Sequence, residues 1–411
     1  MRLRTTRPRI RRLGVLGALL LPALLAVPAT ATAAGNDHEG KPKSKPAVAQ
    51  GAEAFGVNDS GQLGDGSTTD RRLTAVTVAI PDGVKAVAAG VFHGLALLNN
   101  GTVKSWGIGA NGELGNGQTQ DFPVPGSVAD LTGVKAISAG GFFSLALLDN
   151  GTVMSFGRNN VGQLGDGTTT AQPLPVAVIG LPRKAVAISA GVDHSLALLD
   201  DGTVWAWGGN GHGQLGNGTT SNQPQATPIA VTGLTGVKVK AISAGFTFSL
   251  AALGDGSVRA WGDNDHGQLG NNSTTDSSSP VAVAGLAGVK VKAVSAGDDY
   301  SLALLTSGRV KGWGFNANGE LGDGTFTSPR LTPVDTVGVT GVTALDAGFG
   351  EKFPGGQSLA VANGKLVGWG LNVLGQLGNG TLTSRNLAAP IRTGLGRPHS
   401  VAAGQLFSVV S

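Results

Sequence analysis

Residues 207–218 read WGGNGHGQLGNG, and seven versions of this stretch recur along the chain. Each version opens with an aromatic residue and a glycine and continues to Gly-(Gln/Glu)-Leu-Gly-(Asp/Asn), with asparagine at the fourth position in all but one. At intervals of 51, 50, 51, 54, 52 and 56 positions, the opening residues are Phe55, Trp106, Phe156, Trp207, Trp261, Trp313 and Trp369. A nearly fixed period of about 50 residues is the signature of a repeat architecture, so we expect seven similar structural units.

A second repeated stretch leads into the first, as in AGVDHSLALLDDGTVWAWG at residues 190–208. Its Ala-Gly pair occurs seven times, beginning at Ala89, Ala139, Ala190, Ala244, Ala296, Ala347 and Ala403. Six copies then carry a turn signal, such as Asp149-Asn150-Gly151, between two apolar runs, which is the pattern of a β-hairpin. No part of the chain after residue 34 has a sustained helical period, so the pattern predicts an all-β chain.

The number of hairpins predicts how the chain closes. Seven units of about four short strands fit a seven-bladed β-propeller, in which radial repetition protects the sheet edges. Only six hairpins are present, and the missing one would join the strand at residues 407–410 to the strand at residues 52–55. We therefore predict that the last blade is closed by the N- and C-terminal strands, which latch the ring and protect two strand edges.

Both repeated stretches resemble the signature stretches of the regulator of chromosome condensation repeat family, and the resemblance covers about residues 51–411. The resemblance implies a seven-bladed β-propeller. It implies less about function, because the family includes exchange factors, ligase substrate readers, inhibitors and uncharacterised exported proteins, and a fold alone does not define an activity.

Composition narrows the classes of function. Glycine accounts for 68 of 411 residues, and the absence of cysteine excludes disulfides, thiolate metal sites and thiol nucleophiles. The formal charge of +4 arises at the N-terminus, where residues 1–34 hold 6 of the 30 basic residues and no acid. Residues 35–411 therefore carry 24 basic and 26 acidic residues, a net charge of −2 that argues against a nucleic-acid-binding surface.

Residues 1–34 have the layout of a signal peptide: six arginines, an apolar run at residues 13–27, and small residues at 29–34. The apolar run is shorter than the about 20 residues that a membrane-spanning helix needs. We predict cleavage after Ala33 or Ala34, a flexible linker at residues 35–50, a propeller at residues 51–411, and a secreted protein. The pair Arg11-Arg12 leaves the general and the twin-arginine export routes both open.

Recurrence separates packing positions from candidate site positions. The seven opening aromatic residues occupy one position at which tryptophan and phenylalanine exchange, so we interpret them as wedges between blades rather than as a ligand cage. Residues 107–112 (GIGANG) match the dinucleotide pattern G-x-G-x-x-G, but Gly109 stands where the other copies have asparagine, and no helical pattern follows. We predict no bound cofactor and no enzyme activity.

The histidines are weak candidates for ligands or bases. His93 and His194 fall at the third position after Ala-Gly, where most other copies have phenylalanine or tyrosine, which indicates a packing position. His212 and His266 occupy matching positions of adjacent copies. Two histidines without a third ligand nearby favour a solvated rim over a metal site, so we predict no bound metal.

The positions that break the repeat are the candidate binding surface. The two residues after Ala-Gly vary from copy to copy, and equivalent positions of a closed ring lie on one face. One copy has nine residues, FGEKFPGGQ at 349–357, where the others have three. We place the Gly-Gln-Leu-Gly loops on the opposite face. The predicted partner contacts are Phe92, His93, Phe142, Asp193, His194, Phe246, Asp298, Asp299, Phe349, Phe353 and Leu406.

These features favour an exported, non-enzymatic module that binds a protein of unknown identity as a monomer, with no nucleic-acid ligand and no membrane span. The resemblance implies two alternatives. Exchange-factor relatives act on the small nuclear GTPase Ran through Asp and His in these loops, which Asp193-His194 and Asp298-Asp299 match in residue type only. The other alternative is inhibition of a β-lactamase or a related cell-wall enzyme. Exported relatives that inhibit β-lactamases carry an aromatic residue at the second position after Ala-Gly, which only Phe92 and Phe142 match here. The third alternative is glycan binding or hydrolysis at the cell surface, which needs paired carboxylates or a stacked aromatic residue on one face.

Overall fold

Twenty-eight β-strands form seven antiparallel sheets of four strands each in the computed structural model, which describes residues 51–80, 83–234, 236–348 and 356–411. The first strand of each sheet contacts the first strand of the next, and the last sheet contacts the first. This closed ring confirms the all-β, seven-bladed β-propeller. We number its blades 1 to 7 in chain order, beginning at Val84.

The strands are numbered in chain order, and β1 and β2 belong to blade 7. Blade 1 contains β3 (Val84–Ala89), β4 (His93–Leu98), β5 (Val103–Gly107) and β6 (Phe122–Ser127), and blade 2 contains β7 (Val134–Ala139), β8 (Phe143–Leu148), β9 (Val153–Gly157) and β10 (Gln172–Ala177). Blade 3 contains β11 (Ala185–Ala190), β12 (His194–Leu199), β13 (Val204–Asn210) and β14 (Ser221–Ala230), and blade 4 contains β15 (Val239–Ala244), β16 (Phe248–Leu253), β17 (Val258–Gly262) and β18 (Ser277–Ala282). Blade 5 contains β19 (Val291–Ala296), β20 (Tyr300–Leu305), β21 (Val310–Gly314) and β22 (Arg330–Asp335), and blade 6 contains β23 (Val342–Ala347), β24 (Gln357–Ala362), β25 (Lys365–Gly370) and β26 (Arg385–Pro390). Blade 7 contains β27 (Val401–Ala403), β28 (Phe407–Val410), β1 (Glu53–Val57) and β2 (Arg71–Thr77).

Blade 7 is assembled from both ends of the described chain. Its strand order is β2-β1-β28-β27, and β1 pairs antiparallel with β28 from Glu53 opposite Val410 to Gly56 opposite Phe407. The backbone N–H of Gly394 also donates to both carboxylate oxygens of Glu53, at 2.9 and 3.1 Å. The predicted latch is confirmed, because the N-terminal strand takes the place of the missing hairpin.

Tight turns join the second and third strands of blades 1 to 6 where the turn signals predicted them. In blade 6 the turn is Asn363-Gly364, with φ of 50° and 73°, as a two-residue hairpin requires. The corresponding turns of blades 1 to 5 each contain a glycine with positive φ, namely Gly101, Gly151, Gly202, Gly256 and Gly308.

The repeated tryptophans fill the junctions between blades, which confirms their predicted role as wedges. All seven aromatic residues of the set have no exposed surface. Each of the five indole N–H groups donates to a loop carbonyl of the preceding blade at 2.8–2.9 Å, as Trp261 does to the carbonyl of Gln214. Gly216, with φ of +66°, lies so close that an added Cβ would stand 2.7 Å from the Trp261 indole nitrogen.

Both kinds of repeated loop lie on the same face of the propeller. His93, the first residue of β4, pairs with Gly107, the last residue of β5, and the N–H of Ile108 donates to the carbonyl of Phe92 at 2.8 Å. The prediction that the Gly-Gln-Leu-Gly loops lie on the opposite face is wrong, because antiparallel pairing returns the third strand to the end where the second began. We call this end the Ala-Gly face, and the hairpin turns lie on the other face.

The signal peptide and linker predicted at residues 1–50 lie outside the described residues, as do Phe349 and Phe353 of the nine-residue loop. Across the four described segments, no helix is long and apolar enough to cross a membrane.

Candidate functional site

The Ala-Gly loops of neighbouring blades are joined by backbone hydrogen bonds. The N–H of Val91 donates to the carbonyl of Gly141 at 3.3 Å, and the N–H of Gly141 donates to the carbonyl of Gly191 at 3.2 Å. The N–H of Phe246 donates in the same way to Gly297 at 3.2 Å. These bonds hold the loop backbone in place, so the variable side chains determine what the Ala-Gly face presents to a ligand.

Phe92 and Phe142, the second variable residues of blades 1 and 2, are partly exposed. Both rings pack against one apolar cluster, which includes Val91, Val192 and Phe246. We call these five residues the apolar patch. The structure therefore brings the two predicted aromatic contacts together on the Ala-Gly face and leaves part of each ring accessible.

His93 and His194 have no exposed surface, so their prediction as partner contacts is wrong. Nε2 of His93 lies 3.0 Å from the hydroxyl of Ser144, which donates to the carbonyl of Glu113, so Nε2 carries the proton and donates. Nε2 of His194 lies 3.0 Å from the hydroxyl of Ser249. Burial lowers the pKa of both imidazoles to about 3, and both are therefore neutral. The position that holds a phenyl ring in other blades lies inside a junction, which confirms the packing interpretation.

Four more of the predicted contacts are almost fully buried. Their exposed fractions are 8%, 7%, 6% and 4% for Phe246, Asp298, Asp299 and Leu406. Oδ1 of Asp299 accepts from Nε2 of Gln268 at 3.3 Å, and its Oδ2 lies 3.3 Å from Nδ1 of His266. The hydrogen bond to Asp299 raises the pKa of His266. These four residues support the face from beneath, so the prediction that they touch a partner is corrected.

A cavity of about 580 Å³ opens on the Ala-Gly face between blades 2, 3 and 4. Arg158 lines it and places its guanidinium carbon 5.8 Å from the centre of the Phe142 ring, which connects the cavity to the apolar patch. Asp193 also lines it and accepts from Nε2 of Gln163 at 3.3 Å. Burial raises the pKa of the Asp193 carboxyl, and the positive charge of Arg158 opposes that shift. Val192 and Phe246 supply apolar wall, and the rest of the lining includes amide and hydroxyl side chains besides the Asp193 carboxyl and the Arg158 guanidinium. This lining suits a group with an apolar body and a polar end.

His212 and His266 lie at successive blade junctions and have different surroundings. Nδ1 of His212 lies 3.3 Å from Oδ2 of Asp276, and together with Asp263 these residues have ligand atoms all within 4.8 Å of one another. The His266 ring instead packs edge-on against Phe315, with ring centres 5.2 Å apart. Both imidazoles are about one-third exposed, as the rim prediction required. The prediction that no third metal ligand lies near the two histidines is wrong for His212, because Asp263 and Asp276 are both close to it.

Sequence reasoning missed Arg158 and Asp263, which occupy one repeated position. That position is the second after the opening aromatic residue, and the other copies hold Val57, Ile108, Gly209, Phe315 and Leu371. Arg158 and Asp263 are its two charged members, so a comparison of this position across the seven copies would have revealed them. The predicted contacts follow Ala-Gly in every blade, and neither Arg158 nor Asp263 does, because both lie in the loops that were predicted on the other face.

A closed ring of seven repeats, with one face built from variable loops held on a packed scaffold, defines a repeat propeller of the chromosome-condensation-regulator type. The model of the RCC1-like domain family matches residues 49–354, and the chain belongs to that family.

Curated relatives share the propeller segment. The ultraviolet-B receptor UVR8 of Arabidopsis thaliana is 33% identical over 306 residues, which cover 74% of this chain and 57% of the receptor. The E3 ubiquitin-protein ligase HERC2 of Homo sapiens is 34% identical over 255 residues, which cover 61% of this chain and 4% of the ligase. The chain thus spans little more than half of the first relative and a small part of the second.

Solved structures have the same architecture. Human WBSCR16 is similar with a TM-score of 0.77 and 25% identity, over 88% of this chain and 98% of that chain. Yeast RCC1 (Prp20), solved with Kap60 bound to it, is similar with a TM-score of 0.78 and 22% identity, over 93% of this chain and 96% of that chain. The likeness to the yeast protein shows the fold alone.

Proposed function

We propose that the chain is an exported, non-enzymatic protein-binding module whose contact surface on the Ala-Gly face is centred on Phe92 and Phe142, the two partly exposed residues of the apolar patch. The observation that carries the proposal is the accessibility of Phe92 and Phe142, which pack against one apolar cluster, whereas all seven repeated aromatic residues are buried. Partly exposed aromatic rings on a rigid support are the usual anchors of protein interfaces.

The composition of the face also supports a protein ligand. Three exposed acidic residues on this face would favour a basic partner. Because Asp298 and Asp299 are buried and only Asp193 of the three is partly exposed, the face does not require a strongly basic partner. His93 and His194 are buried and neutral, which leaves them unsuited to proton transfer with an external substrate. For the exchange-factor alternative, burial also removes His194 from reach of a GTPase, because the Asp-His pair of that resemblance would need an accessible imidazole.

Relatives with protein partners support the same class of function. Yeast RCC1 (Prp20) has been solved with Kap60 bound to it, and Prp20p from Saccharomyces cerevisiae has been described with its binding to Gsp1p and histones. These partners belong to those proteins. For this chain we propose protein binding of the same general kind, with a partner that the Ala-Gly face selects.

Two alanine variants test the contact surface. Once a pull-down from culture supernatant and cell envelope has supplied a partner, F92A and F142A should each weaken its binding by about 2 kcal/mol or more, since anchors dominate interface energies. F326A is the matched control, because Phe326 is 52% exposed in the loop before β22 and lies outside the apolar patch. A binding titration measures the affinities, and a thermal melt of each variant shows whether it is folded.

The outcomes show whether Phe92 and Phe142 are contact residues or core residues. If F92A and F142A bind like the wild type, these two residues are not part of the contact surface. If both variants melt early, the two rings are core residues. The identity of the captured molecule distinguishes the alternatives. A β-lactamase or another cell-wall enzyme supports the inhibitor alternative, a small GTPase supports the exchange-factor alternative, and a glycan supports the glycan alternative.

Export is proposed from residues 1–34 alone. Small residues stand one and three positions before both candidate cleavage sites, so the secreted chain should begin at Ala34 or Gly35. N-terminal sequencing of protein recovered from the medium measures this. A secreted chain that begins before Leu13 would show that the segment is retained.

A further inference from the structure

Three side chains of metal-ligand type meet at the junction of blades 3 and 4. His212 belongs to the loop between β13 and β14, and Asp263 and Asp276 belong to the loop between β17 and β18. Their ligand atoms all lie within 4.8 Å of one another. Asp263 is 2% exposed, whereas the side chains of His212 and Asp276 are 38% and 40% exposed. One ligand is therefore fixed inside the junction, and two can approach it from the surface.

The seven-fold repeat supplies a comparison for this arrangement. His212 is the fifth residue after the opening aromatic residue of blade 3. Asp263 and Asp276 are the second and the fifteenth residues after the opening aromatic residue of blade 4. These three positions hold Ser60, Ile108 and Asp121 at the junction of blades 7 and 1, Asn111, Arg158 and Ala171 at blades 1 and 2, and Val161, Gly209 and Asn222 at blades 2 and 3. They hold His266, Phe315 and Ser328 at blades 4 and 5, Asn318, Leu371 and Ser384 at blades 5 and 6, and Leu374, Val57 and Asp70 at blades 6 and 7. Among the described residues, none of these other sets contains two side chains of ligand type. The combination at blades 3 and 4 is thus a departure from the scaffold and not a consequence of it.

We propose that His212, Asp263 and Asp276 bind a divalent transition-metal ion of the zinc class. One imidazole nitrogen and two carboxylate oxygens are a ligand set that suits zinc, with bond lengths of about 2.0–2.2 Å. The two carboxylates balance the charge of the ion. Nδ1 of His212 and Oδ2 of Asp276 already face each other at 3.3 Å, so an ion can bind between these two atoms with little movement of either side chain.

Neighbouring groups orient both carboxylates for this role. Oδ2 of Asp263 accepts from the hydroxyl of Thr247 at 2.9 Å, and its Oδ1 accepts from the N–H of Asp265 at 3.1 Å. Oδ1 of Asp276 accepts from the N–H of Asn264 at 2.9 Å, which leaves Oδ2 directed at His212. Such outer contacts hold metal ligands in place, and each carboxylate oxygen keeps a further lone pair for an ion.

The proposed ion lies at the edge of the cavity between blades 2, 3 and 4. His212 and Thr247 both line that cavity. Three protein ligands leave a fourth position of a tetrahedral zinc ion for water or for a polar group of a molecule in the cavity. None of its ligands belongs to the apolar patch, so variants of the ligands test the metal site without changing Phe92 or Phe142.

Calorimetric titration of the purified full chain with zinc chloride tests the proposal, after treatment with a chelator and its removal. The wild type should bind one zinc ion per chain at this site. H212N places asparagine where Asn111 and Asn318 stand in blades 1 and 5, and D276S places the serine that caps the same N–H in blades 5 and 6, at 2.9 and 3.1 Å. Both variants remove a ligand and keep a residue type that the scaffold already accepts, so zinc affinity should fall about tenfold or more.

H266N is the matched control, because the next junction has Phe315 and Ser328 in place of the carboxylates. Its zinc affinity should equal that of the wild type. Zinc should also raise the melting temperature of the wild type and of H266N but not that of H212N. The proposal is overturned if the wild type takes up no zinc, if H212N and D276S bind it as tightly as the wild type, or if H266N weakens binding equally.

Discussion

Among individual residues, the position before the repeated leucine shows how the chain adjusts one contact in different blades. The position holds glutamine in five blades and glutamate at Glu113 and Glu320. In the glutamine blades the side-chain carbonyl accepts a nearby backbone N–H, as Gln268 does from His266 at 2.9 Å. Glu320 accepts the N–H of Asn318 at 3.0 Å and, in addition, its side-chain amide at 2.8 Å. Glutamate is thus accepted where an asparagine two residues earlier supplies the second donor.

The buried Glu320 carboxyl makes the free energy of unfolding depend on pH. Burial raises the pKa of Glu320 from 4.5 to about 8, so between these values the folded protein keeps a proton that the unfolded chain has released. Stability due to this group therefore falls as the pH rises from 4.5 to 8. E320Q should match the wild type near pH 4.5 and exceed its stability near pH 8, by on the order of 1–3 kcal/mol. Urea unfolding at a series of pH values measures the difference.

A surface acid provides the control for Glu320. Asp149 is exposed in the hairpin turn of blade 2. The free energy of unfolding of D149N should therefore differ little from that of the wild type at every pH. A stability difference between E320Q and the wild type that stays constant from pH 4.5 to 8 would show that Glu320 does not change its protonation on unfolding.

Packing residues were predictable from the sequence, whereas most of the site was not. The aromatic wedge position and the His93 position recur in every repeat, so their shared environment can be predicted from the sequence. His212 and Asp276 are 64 residues apart and belong to different blades, and their contact depends on how two loops meet across a junction. Periodicity specifies that the blades are adjacent, but not which side chains of the adjacent loops touch.

Among the structural elements, the blade junction is the unit that carries packing energy. The hairpins could be predicted because each is encoded by a local turn signal, but the face of the Gly-Gln-Leu-Gly loops was assigned wrongly because strand direction was not followed around the hairpin. At the junction of blades 3 and 4, the Trp261 indole and the Ser249 hydroxyl both donate to the Gln214 carbonyl, each at 2.9 Å. This shared acceptor determines how the junction responds to substitution.

Substitution of Trp261 should separate volume from hydrogen bonding. W261A should cost about 3–5 kcal/mol because it leaves a cavity in a fully buried position. W261F should cost about 1–2 kcal/mol, since Phe55 and Phe156 fill the equivalent position and Ser249 still satisfies the Gln214 carbonyl. Chemical unfolding curves measure both values.

Trp205 supplies the matched control for the junction, because it is a partly exposed tryptophan of β13. W205A should cost clearly less than W261A. If W261F proves as destabilising as W261A, the indole hydrogen bond rather than the filled volume holds the blades together, and the wedge interpretation has the wrong physical basis.

For the whole molecule, closure of the ring makes seven junctions depend on one strand. β1 pairs with both β2 and β28, and Phe55 of β1 is buried against the Gly378 loop of blade 6. Loss of β1 would therefore detach β2, open an edge of β28 and empty the junction of blades 6 and 7. An open propeller exposes strand edges that favour association with other chains.

Deletion of residues 51–57 should destabilise the entire propeller, because it removes the strand that latches the ring. The loss of the Phe55 side chain alone should cost about 3–5 kcal/mol, which F55A measures separately in a chain whose β1 backbone is intact. Deletion of residues 35–50, which precede β1, is the control and should leave the melting temperature unchanged. Thermal unfolding and size-exclusion chromatography measure stability and association. If both deletions melt at the same temperature, blade 7 does not need its N-terminal strand; if F55A alone reproduces the full loss, the junction rather than the strand pairing closes the ring.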